Sequence, residues 1–238
     1  MKILITSVGR RVELVKEFKK LNCQVVGINV HPFASALYFC DNHYIVPAID
    51  DGGYLDTLRA ICKKERIDLI VPTIDADLDF FYNHYGSLEV KIAVSAREAL
   101  KISLDKKETF RFFKNNGIPC PEIYTENSIP PFKKIIIKPQ YGHGSKEIFI
   151  PKDTKDIPTL LKYVSSPMIQ EFIAGREFTA DVFCDHNHNC VAICHRERVL
   201  TRGGEVQVAF VHRNTNKIDS IIKKICKEAR YHWGVLYP

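Results

Sequence analysis

The sequence predicts an α/β protein in two parts: a parallel-sheet unit over residues 1–100 and an α+β unit over residues 101–238. Three observations predict it. Short apolar runs alternate with amphipathic helical stretches up to about residue 95. Beyond Pro121 the alternation gives way to hairpin patterns. Within that second stretch a glycine-containing loop flanked by lysines, Lys138 to Lys146, joins two short apolar runs. Strand–helix alternation implies βαβ units and a parallel sheet covered on both faces.

In order, Lys2–Thr6 (KILIT) reads as a buried strand, and Val12, Leu14, Val15, Phe18 and Leu21 recur at helical spacing. Strands follow at Gln24–Val30, His43–Val46, Asp68–Pro72 and Val90–Val94, with an amphipathic helix over Tyr54–Arg66. Pro72 to Asp77 reads as a turn. Parallel sheets bind ligands beyond the carboxyl ends of their strands, where Gly9 and this turn lie. Ser7-Val8-Gly9-Arg10-Arg11 has too few glycines for a dinucleotide fingerprint, and Asn29 and His31 stand where a ribose-binding acid would. Arg10 and Arg11 are unusual at a helix start; they hold an anion or pair with Asp75 or Asp77.

From Ser95 two helices are expected, the second running through Phe110, Phe112 and Phe113 to Gly117, with Ser103 or Asp105 as N-cap. Lys133–Ile150 reads as a hairpin whose loop is longer and more cationic than a tight turn requires. Glycines let a backbone approach a ligand, and successive N–H groups there form an anion-binding concavity; a surface hairpin with solvated lysines is the alternative. A helix near Thr154–Tyr163, a strand at Met168–Phe172, a hairpin of Glu177–Cys184 with Asn189–Arg196, and a helix over Ile218–Tyr231 complete the pattern.

At 238 residues, with 45% hydrophobic and 26% charged residues, the chain suits a soluble globular protein with a substantial core. No run approaches a membrane span or a signal h-region, which favours the cytoplasm. The eight cysteines include no C-x-x-C pair and read as buried thiols. The net charge of +6 fits a polyanionic small ligand; without a basic run interleaved with aromatics it does not argue for nucleic acid. Cys184, His186, His188, Cys190, Cys194 and His195 crowd one stretch, but their spacing matches no common zinc site and no metal ligand is assigned.

Five motifs stand in a fixed order: Asp105-Lys106-Lys107, Ile135-Ile136-Ile137-Lys138-Pro139, Gly142-His143-Gly144-Ser145, Gln170-Glu171-Phe172-Ile173 and Gly175-Arg176-Glu177-Phe178-Thr179. Together they resemble the ATP-grasp superfamily, in particular proteins similar to the carbamoyl-phosphate synthetase large subunit. The resemblance covers almost the whole chain. It implies a Rossmann-like pre-ATP-grasp domain over 1–100, then a partial ATP-grasp domain over 101–238 lacking its last strands.

What the resemblance implies for function is an ATP-dependent carboxylate–amine ligase, working through an acyl phosphate on small-molecule carboxylate and amine substrates. Lys106 and Lys138 would bind the phosphates of ATP, and Gly142, Gly144 and Ser145 would form the loop that closes over them. Glu171, Phe172 and Ile173 would contact adenine through their backbone, and Glu177 the ribose hydroxyls. Core packing for Phe172 and Ile173, and a solvated edge carboxylate for Glu177, are the structural alternatives. Arg196 and Arg202 would line the acceptor side, gripping a carboxylate or acyl phosphate by bidentate contacts, or else are solvated hairpin charges.

Two departures shape the expectation. Glu147 stands where the family's loop usually has another glycine, stiffening the loop or placing negative charge near phosphate. The family's Mg²⁺ ligands are not found in the sequence, which stops at Tyr237-Pro238. A non-catalytic or partner-dependent ATP-binding subunit is therefore the second expectation, with a homo-oligomer or complementing chain as partner. A Rossmann-type binder of a small effector is the third.

Overall fold

The computed structural model describes residues 1–142, 144, 146–185, 187–202, 205–212 and 216–231. The chain divides into two compact units, Met1–Leu100 and Lys101–Pro238.

The first unit runs β1 (Lys2–Ile5), α1 (Val12–Lys20), β2 (Gln24–Asn29), a 3-10 turn (Ser35–Phe39), β3 (Asn42–Ile45), α2 (Tyr54–Glu65), β4 (Leu69–Val71), α3 (Asp75–Asn83) and β5 (Lys91–Ile92). All five strands pair in parallel, in the order β3-β2-β1-β4-β5. Alternating side chains of a strand point to opposite faces, so β1 feeds two cores. Leu4 packs with Tyr54, Leu58 and Ile61 of α2 and Phe80 and Phe81 of α3. Ile3 and Ile5 pack with Val15 of α1 and Ala36 and Leu37 of the 3-10 turn. The chain leaves β1 toward β2 and returns to β4 on its other side, which makes β1/β4 the topological switch point.

α3 corrects the expectation of a turn at Pro72 to Asp77: the helix begins at Asp75 and buries Asp77, Phe80 and Phe81. The pairing expected of Arg11 with Asp77 is also corrected. The Asp77 carboxylate, 1% exposed, accepts from Thr6 Oγ1 (2.8 Å), Ser7 Oγ (2.9 Å), Thr73 N (3.0 Å) and Ile74 N (3.3 Å). Arg11 Nη1 donates instead to the Ser7 carbonyl. Hydroxyl and amide donors satisfy a buried carboxylate without burying a second charge.

Gly27, in β2, has no room for a side chain: a Cβ there would lie 2.6 Å from Cys40 Sγ and 3.4 Å from Leu37 Cδ2. Overpacking of this kind forces strand and 3-10 turn apart. Gly27→Ala is expected to destabilise the protein by about 1–3 kcal/mol, read as a lower urea midpoint at unchanged m-value.

α4 (Arg97–Leu104) leads to α5 (Lys106–Asn115), β6 (Ile123–Tyr124) and β7 (Ile135–Pro139) of the second unit. A 3-10 turn (Thr154–Asp156) precedes α6 (Ile157–Leu161). Then come β8 (Pro167–Glu171), β9 (Phe178–Cys184), β10 (Cys190–Arg202), β11 (Glu205–His212) and α7 (Asn216–Glu228). Two antiparallel three-stranded sheets result, β6-β8-β7 and β11-β10-β9. Ile135 and Ile137 of β7 are buried against Ile157, Val164 and Ile169. The expected hairpin closes where Ile137 and Phe149 exchange backbone hydrogen bonds of 2.8 and 2.9 Å. β10 runs six residues past Arg196, where the sequence pattern ended it, and β11 was not foreseen. Among the described residues no helix is long and apolar enough to cross a membrane.

Candidate functional site

The alternation of β7 sends Ile135 and Ile137 into the core and leaves Lys138 half-buried at the strand's end. Lys106 opens α5, whose N-cap is Asp105: its Oδ1 accepts from Lys107 N (2.8 Å) and Glu108 N (3.4 Å). Gln140, just after β7, bridges the two elements. Its Nε2 donates to both Asp105 oxygens at 2.9 Å, and its carbonyl accepts from Lys106 N at 3.2 Å. Lys106 Nζ reaches the carbonyls of Gly142 (2.9 Å) and Gln140 (3.4 Å). Burial pushes the Lys138 ammonium down to about 8, and the positive charge of Lys106 lowers it further within that shift. Two cations thus share one end of β7 at the mouth of the glycine loop.

In that loop Gly142 (φ +102°) and Gly144 (φ +75°) adopt left-handed backbone that a side chain would strain, and a Cβ at either would meet nothing within 4 Å. Ser145, assigned with them, lies outside the described residues, as does His143. Glu147 ties the far end of the loop down: its Oε2 accepts from Ser165 N at 2.7 Å. Of the two roles expected for Glu147, anchoring is the one this contact serves.

The linker after β8 is held at its start and open at its end. Glu171 pairs with Lys133 Nζ at 2.6 Å, a contact that holds its carboxyl below the usual range. Glu171 N donates to Glu122 O (2.7 Å) and Phe172 N to Lys134 O (2.9 Å). Phe172 is half-buried, whereas Ile173 is 61% exposed. Glu177 is exposed and its Oε1 lies 2.8 Å from Arg198 Nε. On β10, Arg196 grips Asp181 of β9 with Nε (2.5 Å) and Nη2 (2.8 Å). Arg202 is exposed at the end of the same strand.

The structure therefore brings Lys106 onto the carbonyls of Gln140 and Gly142, just beyond Lys138 in the chain, and places Phe172 and Ile173 directly after Glu171 at the end of β8. Arg196 and Glu177 each have an ionic partner within sheet β11-β10-β9. Asp105 and Gln140 were not singled out as site residues. Their signal was the N-cap at Asp105 and the position of Gln140 directly after Lys138-Pro139.

In the cysteine- and histidine-rich stretch Cys184 and His195 are buried, Cys190 is partly buried, and Cys194 is exposed, against the expectation of a buried thiol. Among the described residues no group of three or more His, Cys, Asp or Glu side chains could hold a metal ion. Buried His195 bonds Asp219 of α7 through Nε2 at 2.6 Å. Cys184 and Cys190 face each other across β9 and β10, Cys190 Sγ donates to the Ala192 carbonyl at 3.7 Å, and burial pushes the Cys184, Cys190 and Cys226 thiols up. His186 lies outside the described residues.

Comparison with known proteins gives two family matches: a PylC-like N-terminal domain over residues 3–94 and an ATP-grasp domain over residues 103–236. A carbamoyl phosphate synthase large chain from Campylobacter jejuni is 26% identical over 213 residues, which cover 80% of this chain and 19% of that protein. A 3-methyl-D-ornithine–L-lysine ligase from Methanosarcina barkeri is 26% identical over 178 residues, 73% of this chain and 44% of that one. Among solved structures, a biotin carboxylase–beta-gamma-ATP complex from Campylobacter jejuni superposes with a TM-score of 0.77 at 15% identity, covering 98% of this chain and 60% of that one. That likeness is one of fold. The chain spans less than half the length of these two curated relatives.

Proposed function

The chain belongs to the ATP-grasp family, and from that premise we propose that it binds ATP and serves as an ATP-dependent ligase, activating a carboxylate as an acyl phosphate for attack by an amine. One observation carries this: Lys138 keeps its ammonium in a half-buried place at the end of β7, where burial first and the charge of Lys106 second push it down to about 8, while Lys106 Nζ reaches the glycine loop at the Gly142 carbonyl. A cation buried at such a cost beside a second one supports a site made for a polyanion.

In this proposal Lys106 and Lys138 neutralise the triphosphate, and the loop at Gly142 and Gly144 covers it and excludes water. The backbone at Ile173, an exposed residue, receives the adenine, beside half-buried Phe172 and with Glu171 fixing the start of the linker through Lys133. Glu177 faces the ribose, and Arg196 and Arg202 the acceptor. An oxygen of the substrate carboxylate attacks the γ-phosphorus, the bond to the β-phosphate oxygen breaks, and ADP leaves. The amine nitrogen then attacks the acyl carbon, phosphate departs with the C–O electron pair, and the nitrogen gives up its proton. Mg²⁺, which the family uses, would be held jointly by the phosphates and one or two carboxylates, and no such carboxylate is assigned in this chain. Small carboxylates and amines are the partners, in the cytoplasm.

The test replaces the amine by hydroxylamine, which traps an acyl phosphate as a hydroxamate. Protein, ATP and a panel of carboxylates are expected to give carboxylate-dependent phosphate release and hydroxamate. ATP binding with no carboxylate accelerating phosphate release would contradict ligation and leave a nucleotide-binding subunit.

ATP affinity is also expected to depend on pH. Phosphate favours the charged form of Lys138, so its pKa rises from about 8 on binding. The complex then holds one more proton than the free components above pH 8. Affinity should be level below that pH and fall by up to about tenfold per unit above it, measured by calorimetric titration between pH 7 and 9.5.

A further inference from the structure

Gln140 is neither a cation nor part of the glycine loop's covering backbone, yet four of its polar contacts converge on Lys106 and its N-cap Asp105, and it follows Lys138-Pro139 directly in the chain. Its amide nitrogen bridges both oxygens of Asp105 at 2.9 Å and lies 3.0 Å from Tyr141 OH. Its carbonyl takes Lys106 N at 3.2 Å and Lys106 Nζ at 3.4 Å. Its own N–H is fixed by Ser166 O at 2.9 Å, beside the anchor of Glu147 on Ser165. Asp105 meanwhile caps α5 through Lys107 N and Glu108 N. The first turn of α5 and the segment just after β7 are thus joined by a backbone hydrogen bond and, beside it, one side-chain pair 35 residues apart in sequence.

We propose that the Asp105–Gln140 pair is a positioning clamp that sets the separation of Lys106 and Lys138, and so the fit of the site to a triphosphate. The proposal rests on the assignment of the two lysines to ATP. Without a clamp, two ammonium groups would relax apart, since each lowers its free energy by moving away from the other. A charge-assisted contact, one amide nitrogen shared between both oxygens of Asp105, opposes that motion by holding the start of α5 against the chain just after β7. Asp105 and Gln140 touch no reacting atom in this arrangement; they act through the lysines.

Gln140→Leu removes the clamp without changing any charge. Asp105→Ser keeps an N-cap hydroxyl for α5 but is too short to bridge to Gln140. Each single variant is expected to weaken ATP binding about tenfold, and the double variant no more than either alone, because both break one contact. In Gln140→Leu the pH above which ATP affinity falls should move upward from about 8, as Lys106 withdraws from Lys138. Asp105→Asn, which retains both an acceptor oxygen and a cap, should restore most of the affinity. A role confined to stability would move the thermal midpoint and leave the pH at which affinity breaks unchanged.

Wild-type protein that binds ATP alongside a Gln140→Leu variant with the same affinity and the same pH break would overturn the clamp and leave the ATP assignment standing. Additive losses in the double variant would overturn it as well. Wild-type protein that binds no ATP would overturn the assignment and the clamp with it.

Discussion

Lys138→Met should lower kcat/KM for ATP by about 10²- to 10³-fold and raise the stability of the protein at the same time. The functional loss follows from removing one of two cations that meet the triphosphate, in a half-buried place where an ion interacts more strongly than in water. The stability gain follows from the sign of the lysine's shift. A lysine whose folded pKa is lowered to about 8 disfavours the folded state while charged. That penalty is complete below about pH 8 and disappears as pH rises toward the unfolded value. At pH 7 methionine, of similar length and uncharged, should therefore add on the order of 1–3 kcal/mol, read as a higher urea midpoint. At pH 11 the gain should be gone. A variant that loses activity and also unfolds more easily would argue that Lys138 is held in β7 for packing.

Asp77→Ala should destabilise the first unit by about 3–5 kcal/mol, enough to unfold a marginal domain. Four donors converge on that carboxylate at the switch point between β1 and β4, two of them backbone amides ahead of α3. Alanine would leave the buried Thr6 hydroxyl and three partly buried donors without their shared acceptor. Ser7 adds to the cost, because its φ of +47° is tolerated while its hydroxyl is tied to Asp77. Burial outweighs the donors and raises the Asp77 pKa. The folded state therefore holds the proton more tightly than the unfolded one. The group's contribution is largest below the unfolded aspartate pKa and declines as pH rises through the raised folded value. Chemical denaturation from pH 4 to 8 should show this decline in the wild type and not in Asp77→Asn.

Much of this was readable in the residues, for reasons that differ by element. β1, β2 and α2 carry strong periodic patterns of their own, and Asp105 is a local capping signal whose consequence lies within one turn. The ordered motifs from Lys106 to Thr179 gave the family that the domain match establishes. α3 was misread because Pro72, Thr73 and two acids resemble turn chemistry; yet acids in a first turn are also a helix-start signal, and Leu78, Phe80 and Phe81 continued it. The reach of β10 was hidden by its charges. His195-Arg196-Glu197-Arg198 reads as a strand end only until Asp181, Asp219, His212 and Glu177 are known to meet it. Those partners lie 15 to 24 residues away or across a sheet, and no local pattern encodes them. The alternation in Glu205–His212 was available for β11 and was missed beside the more conspicuous Arg202-Gly203-Gly204.

The most direct measurement follows the Lys138 ammonium itself by side-chain NMR as pH is varied, with and without saturating ATP. Alone, Lys138 should titrate near 8. With ATP bound its midpoint should rise by a unit or more, roughly the effect of an opposite charge at contact. A midpoint that stays near 8 when ATP is bound would mean that the phosphates lie elsewhere, and would contradict the assignment of Lys106 and Lys138 to the nucleotide.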